Sequence, residues 1–188
     1  GPITFKWLHQ CGSMPRDGGN LILSNEEKNL ILRENSTVSH YIKPFIGSNE
    51  FLKDIQRWCI WIDDKNLNNA KSIPIILEKL HAVSAFRESS KAGSTQSFSK
   101  RPHRFVQISY QDAPCIIIPA VSSERRKYIP IGFLEQGTVV SNLAYAIYNP
   151  DPTLFGMLSS LMHMAWVRAV AGRLENRYRY SAGLCYNT

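Results

Sequence analysis

Apolar and polar positions in the first sixty residues follow two different periods. Ser24, followed by Glu27 three residues later, forms the capping-box pattern and predicts a helix over 25–34. Segment 56–62, QRWCIWI, carries large apolar residues on both sides of an extended chain, which predicts a strand buried on both faces. The sequence RDGGN at 16–20 indicates a turn before the helix.

The middle of the chain combines an amphipathic helix, a polar segment and several strands. Between 73 and 91, apolar residues recur at helical spacing on one face, at Ile76, Leu80, Val83 and Phe86. The polar segment 89–104 is rich in small polar residues and cations, which indicates a flexible surface loop or a segment that becomes ordered on binding. After it, apolar patterning predicts strands over 104–110, 115–120, 127–133 and 138–148.

The last third of the chain predicts a long helix followed by an extended segment. NPDP at 149–152 breaks the preceding strand, and Thr153 can cap a helix that reaches about Leu174. The predicted apolar stripe of that helix is Leu154, Leu158, Leu161, Met162, Ala165 and Ala169. In RYRYS at 177–181, an extended chain places both arginines on one face and both tyrosines on the other, and we expect the tyrosines to pack. Together these elements predict an α+β fold, a single domain with a mixed or mainly antiparallel β-sheet flanked by helices.

Length and composition agree with one domain over residues 1–188. Gly1-Pro2 resembles a cloning scar or a cut domain edge, so we expect a fragment of a larger protein. No apolar run approaches the roughly 18–20 residues that span a bilayer, and no secretory signal pattern is present. The four cysteines and five histidines are scattered, which argues against a metal site and favours reduced, mostly buried thiols in a cytoplasmic protein.

Patterns that would carry catalysis are incomplete. Asp17 with Glu26 and Lys28 imitates a nuclease pattern, but the glutamate and the lysine fall within the predicted capped helix. NPDP differs from the N-P-P-aromatic motif of adenine-N6 methyltransferases and is interpreted as a turn. No GxSxG, P-loop or GxGxxG motif is present, and His163 is interpreted as a core or interface histidine. The sequence therefore predicts no catalytic residue and no metal ligand in this chain.

The net charge of +7 is concentrated in two blocks. Residues 85–128 hold eight Lys/Arg against three Asp/Glu, and residues 168–188 hold four against one, whereas 129–167 hold none against two. Segregation of this kind indicates a polyanionic partner. The candidate cations are Lys91, Lys100, Arg101, Arg104, Arg125, Arg126, Lys127, Arg168, Arg173, Arg177 and Arg179. Ser122 and Ser123 are suitable phosphate donors, and Glu124 can accept from a cytosine edge.

Five ordered blocks carry a resemblance to a known family. They are MPRDGGNLILSNEEK (14–28), YIKPFIGSNEFL (41–52), RWCIWI (57–62), VSSERRKYIPIGF (121–133) and MHMAWVRAVAGRLENRYRYS (162–181). Together they resemble the region that follows the methyltransferase motifs in MmeI-like (type IIL) single-chain restriction–modification enzymes. In that family a nuclease domain, an adenine-N6 methyltransferase domain and a target-recognition domain share one polypeptide. The resemblance covers nearly all of 14–187, and segment 89–120 matches least well. One departure is Lys43, at a position where the family more often has arginine.

The resemblance implies a sequence-specific double-stranded DNA recognition module of a bacterial, cytoplasmic, adenine-specific DNA methyltransferase and type II restriction enzyme. No cofactor is expected in this fragment; the parent chain would use S-adenosylmethionine and, for a nuclease domain, Mg²⁺. Its partners would be duplex DNA and the methyltransferase domain of the same chain, with no membrane. Two alternatives stay open: a docking module that mainly binds the parent's catalytic domains through the helix 153–174, and an independent enzyme.

Overall fold

The structure, a computed structural model, describes residues 10–123, 125–174, 177–181 and 185. Its strands are β1 (Gln10–Cys11), β2 (Ile22–Ser24), β3 (Ile42–Ile46), β4 (Arg57–Ile60), β5 (Cys115–Pro119), β6 (Val121–Ser122), β7 (Gly132–Leu134), β8 (Val139–Val140), β9 (Ala144–Tyr148), β10 (Gly172–Leu174) and β11 (Arg177–Arg179). Its α-helices are α1 (Asn25–Glu34), α2 (Ser48–Lys53), α3 (Leu67–Lys71), α4 (Pro74–Glu88), α5 (Gly93–Gln96), α6 (Pro152–Leu158) and α7 (Leu161–Val170). Short 3-10 helices cover Ser36–Tyr41 and Asp64–Asn66.

The chain divides into two compact units. Unit 1 contains Gly47–Asp54 together with the described residues up to Gly12 and from Ser109 onward, and unit 2 contains Ser13–Ile46 and Ile55–Ile108. Each unit combines helices with antiparallel strand pairs. The predicted α+β class with mainly antiparallel pairing is therefore confirmed.

Unit 2 is built on strands whose order is β2-β4-β3, both pairs antiparallel. α1 begins where predicted, because the Ser24 hydroxyl accepts from the Glu27 N–H at 3.1 Å and the Glu27 carboxylate accepts from the Ser24 N–H at 2.8 Å. In β4, Cys59 and Ile60 are buried whereas Arg57 is exposed. The predicted strand 56–62 is thus shorter in the structure, and only its second half is buried.

Unit 1 contains one sheet of order β1-β9-β5-β7 and another of order β10-β11-β6, all paired antiparallel. A strand was predicted at 115–120; β5 covers Cys115–Pro119, and all five of these residues are buried. Gly12 follows β1 where an added Cβ would overlap the backbone carbonyl of Ser141, so this position accepts no side chain. The core contains residues of β5, β9, β11, α6 and α7: Ile116, Ile118, Ile129, Ile147, Leu154, Leu158, Met164, Val167, Tyr178, Tyr180 and Cys185.

The predicted long helix 153–174 is wrong, because the chain forms two helices and then a strand. Asp151, not Thr153, caps α6, and Ser160 caps α7 by accepting from the His163 N–H at 3.1 Å. The break at 159–160 changes the phase of the apolar positions. Leu154 and Leu158 are buried as predicted, but α7 buries Met164 and Val167 and leaves the other stripe residues exposed: Leu161, Met162, Ala165 and Ala169.

The buried face of α4 differs from the prediction by one residue. Ile76, Leu80 and Val83 are buried, but Phe86 is 44% exposed and Arg87 is fully buried. Eleven residues complete about three turns of an α-helix, so position 87 continues the face that begins at Ile76. The burial of an arginine at this position was not predicted.

Several predicted strands are shorter in the structure or are not formed. Residues 104–110, all within the described chain, form no strand; Gln107 makes an isolated antiparallel bridge to Met14. Of 127–133, only the end belongs to β7, and 138–148 is divided into β8 and β9 by a turn at 142–143.

Candidate nucleic-acid interface

The sheet β10-β11-β6 brings together basic stretches that are far apart along the chain. Antiparallel pairing places Tyr178 of β11 opposite Ser122 of β6 on one side and opposite Arg173 of β10 on the other. Ser122 lies three residues before the cations at 125–127. Sheet topology thus joins two basic blocks that are about fifty residues apart in sequence.

The alternation predicted for RYRYS is confirmed in β11. Arg177 and Arg179 are exposed, whereas Tyr178 and Tyr180 are 8% and 1% exposed and belong to the core. Residues two apart on a strand lie on the same face, about 6.8 Å from each other. β11 therefore presents two guanidinium groups side by side at the surface, and the tyrosines have the packing role predicted for them.

The segment after β6 is a turn whose cations are exposed. The Arg126 N–H donates to the Ser123 carbonyl at 3.2 Å, and the Arg125 N–H donates to the Ser123 hydroxyl at 3.3 Å. The Lys127 ammonium lies 5.5 Å from the centre of the Tyr128 ring, which is within the range of a cation–π contact. Backbone contacts therefore shape the turn while its three cationic side chains remain accessible.

Arg168 lies in the last turn of α7 and is exposed. α7 ends at Val170, and β10 begins at Gly172, which pairs with Arg179. Arg168 is therefore only four residues before the strand that pairs with β11. We use "basic face" for the exposed cations that this sheet and its flanking segments contribute: Arg125, Arg126, Lys127, Arg168, Arg177 and Arg179.

Solvent exposure is the property that the described side chains of the basic face share: Arg125, Arg126, Lys127, Arg168, Arg177 and Arg179 are all exposed. Exposed cations on neighbouring segments attract polyanions, because their fields add. This surface is the strongest candidate interface in unit 1.

Four predicted site residues of unit 1 stand apart from the exposed cations. Ser122 is 2% exposed, and its hydroxyl has no hydrogen-bond partner among the described residues, so the predicted phosphate contact would require a rearrangement. Ser123 is exposed and stays a suitable donor. Glu124 and the side chain of Arg173 lie outside the described part of the chain.

In unit 2 the polar segment carries the remaining candidate cations. Lys91, Lys100 and Arg101 are exposed. Arg104 differs from them, because its Nη1 donates to Asp64 Oδ2 at 2.5 Å, and His103 Nε2 lies 2.7 Å from Asp64 Oδ1. The carboxylate offsets the charge of Arg104, so the exposed lysines and Arg101 are the better candidates for a polyanion.

Hydrogen bonds from other parts of unit 2 hold the polar segment, which the sequence predicted to be a flexible surface loop or a segment that becomes ordered on binding. It forms α5 at Gly93–Gln96 followed by turns. The Ser84 hydroxyl donates to the Ser99 carbonyl at 2.8 Å, and Arg16 Nη1 donates to the Ser94 and Thr95 hydroxyls at 2.8 and 3.0 Å. The small polar residues of this segment therefore serve to form hydrogen bonds within unit 2.

Arg87 is the residue of this region that the sequence interpretation missed. Its guanidinium is fully buried and donates to five backbone carbonyls, two of them in the turn that begins at Pro15 and three in the polar segment. Burial lowers the pKa of the Arg87 guanidinium from its ordinary value, and the nearby Asp17 carboxylate opposes that shift. The periodicity of α4 could have revealed a buried arginine at this position.

Residues that imitate a nuclease site have structural roles. Asp17 is 5% exposed and accepts from the Leu21 N–H at 2.5 Å, which closes the 16–20 turn. Glu26 is exposed in the first turn of α1. Among the described residues, no group of three or more His, Cys, Asp or Glu side chains is arranged to hold a metal ion.

The remaining nucleophiles and bases are also in ordinary structural environments. The four cysteines, all within the described chain, form no disulfide, and Cys59, Cys115 and Cys185 are buried. Burial raises the pKa of Cys115 to about 12, so its thiol is protonated at neutral pH. His163 Nε2 lies 3.1 Å from the Tyr180 hydroxyl oxygen, and burial lowers the pKa of this histidine, which favours the neutral form. NPDP forms a turn with Asn149 at a φ of 48°, followed by the Asp151 cap.

None of the helices in the described residues combines the length and the apolar character needed to cross a membrane. The described chain is thus an α+β fold with a basic surface and without a visible catalytic constellation. A basic surface of this kind is typical of a nucleic-acid recognition domain.

Comparison with known proteins identifies the family. The chain matches the MmeI target recognition domain over residues 6–188, and it belongs to that family. It is 42% identical over 187 residues to DNA methyltransferase A of Bacillus subtilis (strain 168), an alignment that covers 100% of this chain and 21% of that protein. It is also similar to the structure of the type IIL restriction–modification enzyme MmeI in complex with DNA, with 40% identity and a TM-score of 0.90. That match covers 95% of this chain and 24% of the MmeI chain, so this chain spans between a fifth and a quarter of the proteins it resembles.

Proposed function

We propose that this chain is the DNA target-recognition domain of a larger enzyme and that its exposed cations bind the phosphates of duplex DNA. The observation that carries the proposal is the basic face, in which sheet pairing unites cations from two distant blocks. The solved relative was determined in complex with DNA, which supports the same kind of ligand here. We include the basic face, Ser123 and the exposed cations of the polar segment in the proposed DNA contacts.

Phosphate contacts of this kind fix a protein on the duplex, while side chains that reach base edges supply specificity. Arg125, Arg126, Arg177 and Arg179 have planar guanidinium groups that suit bidentate contacts with phosphate or guanine. Lys127 provides a point charge that suits phosphate alone. We therefore expect the arginines of the basic face to contribute to both affinity and specificity, and Lys127 to affinity.

The parent enzyme that we propose is a bacterial, adenine-specific DNA methyltransferase with an endonuclease activity, located in the cytoplasm. The catalytic domains would bind S-adenosylmethionine and, for the nuclease, Mg²⁺. This recognition domain would present an adenine for flipping into the catalytic pocket of its parent. We expect no methyl transfer by the present chain alone, which incubation with labelled S-adenosylmethionine and DNA can test.

An affinity measurement tests the proposed interface. Fluorescence anisotropy with a labelled duplex of 25 base pairs compares the wild type with Arg125→Ala/Arg126→Ala at 100 mM salt. Loss of two phosphate contacts should weaken binding by on the order of 10- to 100-fold. The matched control is Arg33→Ala/Lys71→Ala, which removes two exposed cations of unit 2 outside the proposed contacts. Equal affinities for both double variants would count against the basic face.

Sequence specificity needs a second experiment, because phosphate contacts alone carry no sequence information. Selection from a pool of random duplexes should enrich one short motif with the wild-type chain. Enrichment should weaken when Arg177 and Arg179 are replaced by lysine, since lysine keeps the charge and loses the bidentate geometry. A pool that stays random after several rounds would contradict a role in target recognition.

One observation favours the docking alternative. α7 leaves Leu161, Met162 and Trp166 at 60%, 82% and 42% exposure, and Met157 of α6 is 60% exposed. Several large exposed apolar side chains on two consecutive helices suggest a surface that another protein covers. Binding of this chain to an isolated methyltransferase domain of its parent, measured with and without DNA, distinguishes docking from DNA recognition. Met162→Ser should weaken docking and leave DNA affinity unchanged.

A further inference from the structure

All five N–H donors of Arg87 have backbone acceptors. Nε donates to the Arg16 carbonyl at 3.0 Å, and Nη2 donates to the carbonyls of Pro15 and Arg104 at 2.8 Å each. Nη1 donates to the carbonyls of Phe98 and Arg101 at 3.2 and 2.9 Å. A guanidinium carries five donors in a rigid plane, so this arrangement uses the full capacity of the side chain.

The acceptors belong to two segments that are far apart in sequence. Three of the carbonyls lie between residues 98 and 104, the part of the polar segment that contains the exposed Lys100 and Arg101. Because the Arg101 carbonyl itself is an acceptor, the backbone that carries these cations is fixed by Arg87. Both cationic side chains extend from a backbone whose position is set by one planar group.

The second segment is the turn at 15–16, whose Arg16 side chain also donates hydrogen bonds to the polar segment. Arg16 has a φ of 45°, an unfavourable backbone conformation for a residue with a side chain. Its Nη1 donates to the hydroxyls of Ser94 and Thr95 while its carbonyl accepts from Arg87. Bonds in both directions thus connect the turn, α4 and the polar segment into one hydrogen-bonded network within unit 2.

A fixed geometry has a consequence for binding. A flexible basic loop would lose conformational entropy when it meets DNA, whereas a segment already held in place avoids most of that cost. Other anchors bond to fewer points of the segment: Ser84 to the Ser99 carbonyl, Arg16 to the hydroxyls of Ser94 and Thr95, and Asp64 to the side chains of His103 and Arg104. Arg87 bonds to three backbone carbonyls of the segment and therefore holds the backbone on both sides of Lys100.

We propose that Arg87 is a positioning residue for DNA recognition, because its five carbonyl bonds hold Lys100 and Arg101 in a preformed arrangement that meets the phosphates. The inference rests on the proposed function, and it means that the polar segment binds DNA as a rigid surface. Arg87 is buried and contacts no DNA itself; it acts through the exposed cations.

The first experiment tests whether Arg87 holds the segment, and it requires no DNA. Trypsin can cleave after Lys100, so the rate of that cleavage in the folded chain reports opening of the segment. Arg87→Lys keeps the charge but has three donors, and cleavage should accelerate by on the order of tenfold. Arg33→Lys makes the same chemical change at an exposed site in α1 and should leave the rate unchanged. An unchanged rate in Arg87→Lys would overturn the proposal.

The second experiment asks whether the effect reaches DNA through Lys100 and Arg101. Anisotropy titrations with the same duplex compare wild type, Arg87→Lys, Lys100→Ala/Arg101→Ala and the triple variant, at a temperature where circular dichroism shows all four folded. Arg87→Lys should weaken binding by on the order of tenfold, and adding the Lys100 and Arg101 changes should then cost little more. A merely structural arginine would lower thermal stability but leave affinity unchanged or give additive effects. Either of those results would overturn the proposal.

A milder variant covers the case in which Arg87→Lys does not fold. Ser84→Ala removes the single bond to the Ser99 carbonyl and should raise cleavage after Lys100 and weaken DNA binding by a few-fold each. No change in either measurement would count against a preformed segment. If the wild-type chain binds no duplex at low salt, the proposed function itself fails. If the wild type binds and Arg87→Lys binds equally well, the positioning role alone fails.

Discussion

Replacing Arg87 by methionine removes five hydrogen-bond donors and a buried charge while it keeps a side chain of similar length. The side chain is fully buried, so solvent does not replace the lost donors without local opening. The carbonyls of Pro15, Arg16, Phe98, Arg101 and Arg104 would each lose this donor. The Phe98 and Arg101 carbonyls would keep a second bond, from the N–H groups of Arg101 and Arg104. We expect a large loss of stability centred on unit 2.

The magnitude follows from two opposing contributions. Hydrogen bonds from a charged donor are worth about 1.5–3 kcal/mol each, so five of them contribute on the order of 10 kcal/mol. Removing the buried charge recovers a desolvation cost of several kcal/mol, which offsets part of that loss. The net decrease in the free energy of unfolding should be about 3–5 kcal/mol. For a chain of this length, about 2–4 °C is lost per kcal/mol, so the Tm should fall by roughly 6–20 °C.

Thermal unfolding by circular dichroism and urea unfolding by fluorescence both measure this change. Arg33→Met is the matched control, because Arg33 is exposed and its loss should alter stability by less than about 0.5 kcal/mol. A decrease below about 1 kcal/mol for Arg87→Met would refute the reasoning. It would mean that the five carbonyls find other partners or that the desolvation cost of the guanidinium cancels its bonds.

Three further substitutions test other parts of the structure. Gly12→Ala should destabilise the chain by about 1–3 kcal/mol in urea unfolding, because its Cβ would overlap a backbone carbonyl, whereas Gly93→Ala, with no atom within 4 Å of the added Cβ, should be nearly neutral. The hydrogen bond from His103 lowers the pKa of the Asp64 carboxyl. The stabilisation of the folded state by ionised Asp64 is therefore complete above the ordinary carboxyl pKa and is lost as the pH falls through the lowered pKa. Between about pH 4 and pH 2 the Tm of the wild type should therefore fall more than that of Asp64→Asn, and parallel curves would contradict this. Met162→Ser should leave the Tm within about 1 °C of the wild type, because the side chain is 82% exposed, and a clear decrease would show that it packs internally.

Local signals were read correctly from the sequence where one short stretch decides the structure. The capping box of Ser24 and Glu27 is complete within four residues, so α1 was predicted with its observed bounds. The alternation in β11 was likewise predicted, because an extended segment with large rings on one side can bury only that side. Both cases depend on neighbours in sequence alone.

Other features depend on tertiary context. Ser159 and Ser160 can lie inside one helix, or they can end one helix and cap the next. Packing in the core of unit 1 selects the second arrangement, in which α6 ends at Leu158 and Ser160 caps α7. The spacing of α4 places Arg87 on its buried face, but the carbonyls of two distant segments that accept from the guanidinium are not evident from any local pattern. Of the candidate site, the sequence identified the cations of the basic face, but the pairing of β11 with β6 that unites them is a property of the fold.

The salt dependence of DNA binding by the wild-type chain tests the central claim most directly. Each phosphate contact releases counterions and contributes about 0.9 to the negative slope of log K against log salt concentration. Five or more contacts from the basic face and the polar segment predict a slope of about −4 or steeper between 50 and 200 mM salt, and Arg125→Ala/Arg126→Ala should reduce it by about 2. A slope shallower than about −1, or the same slope in that double variant, would contradict the account.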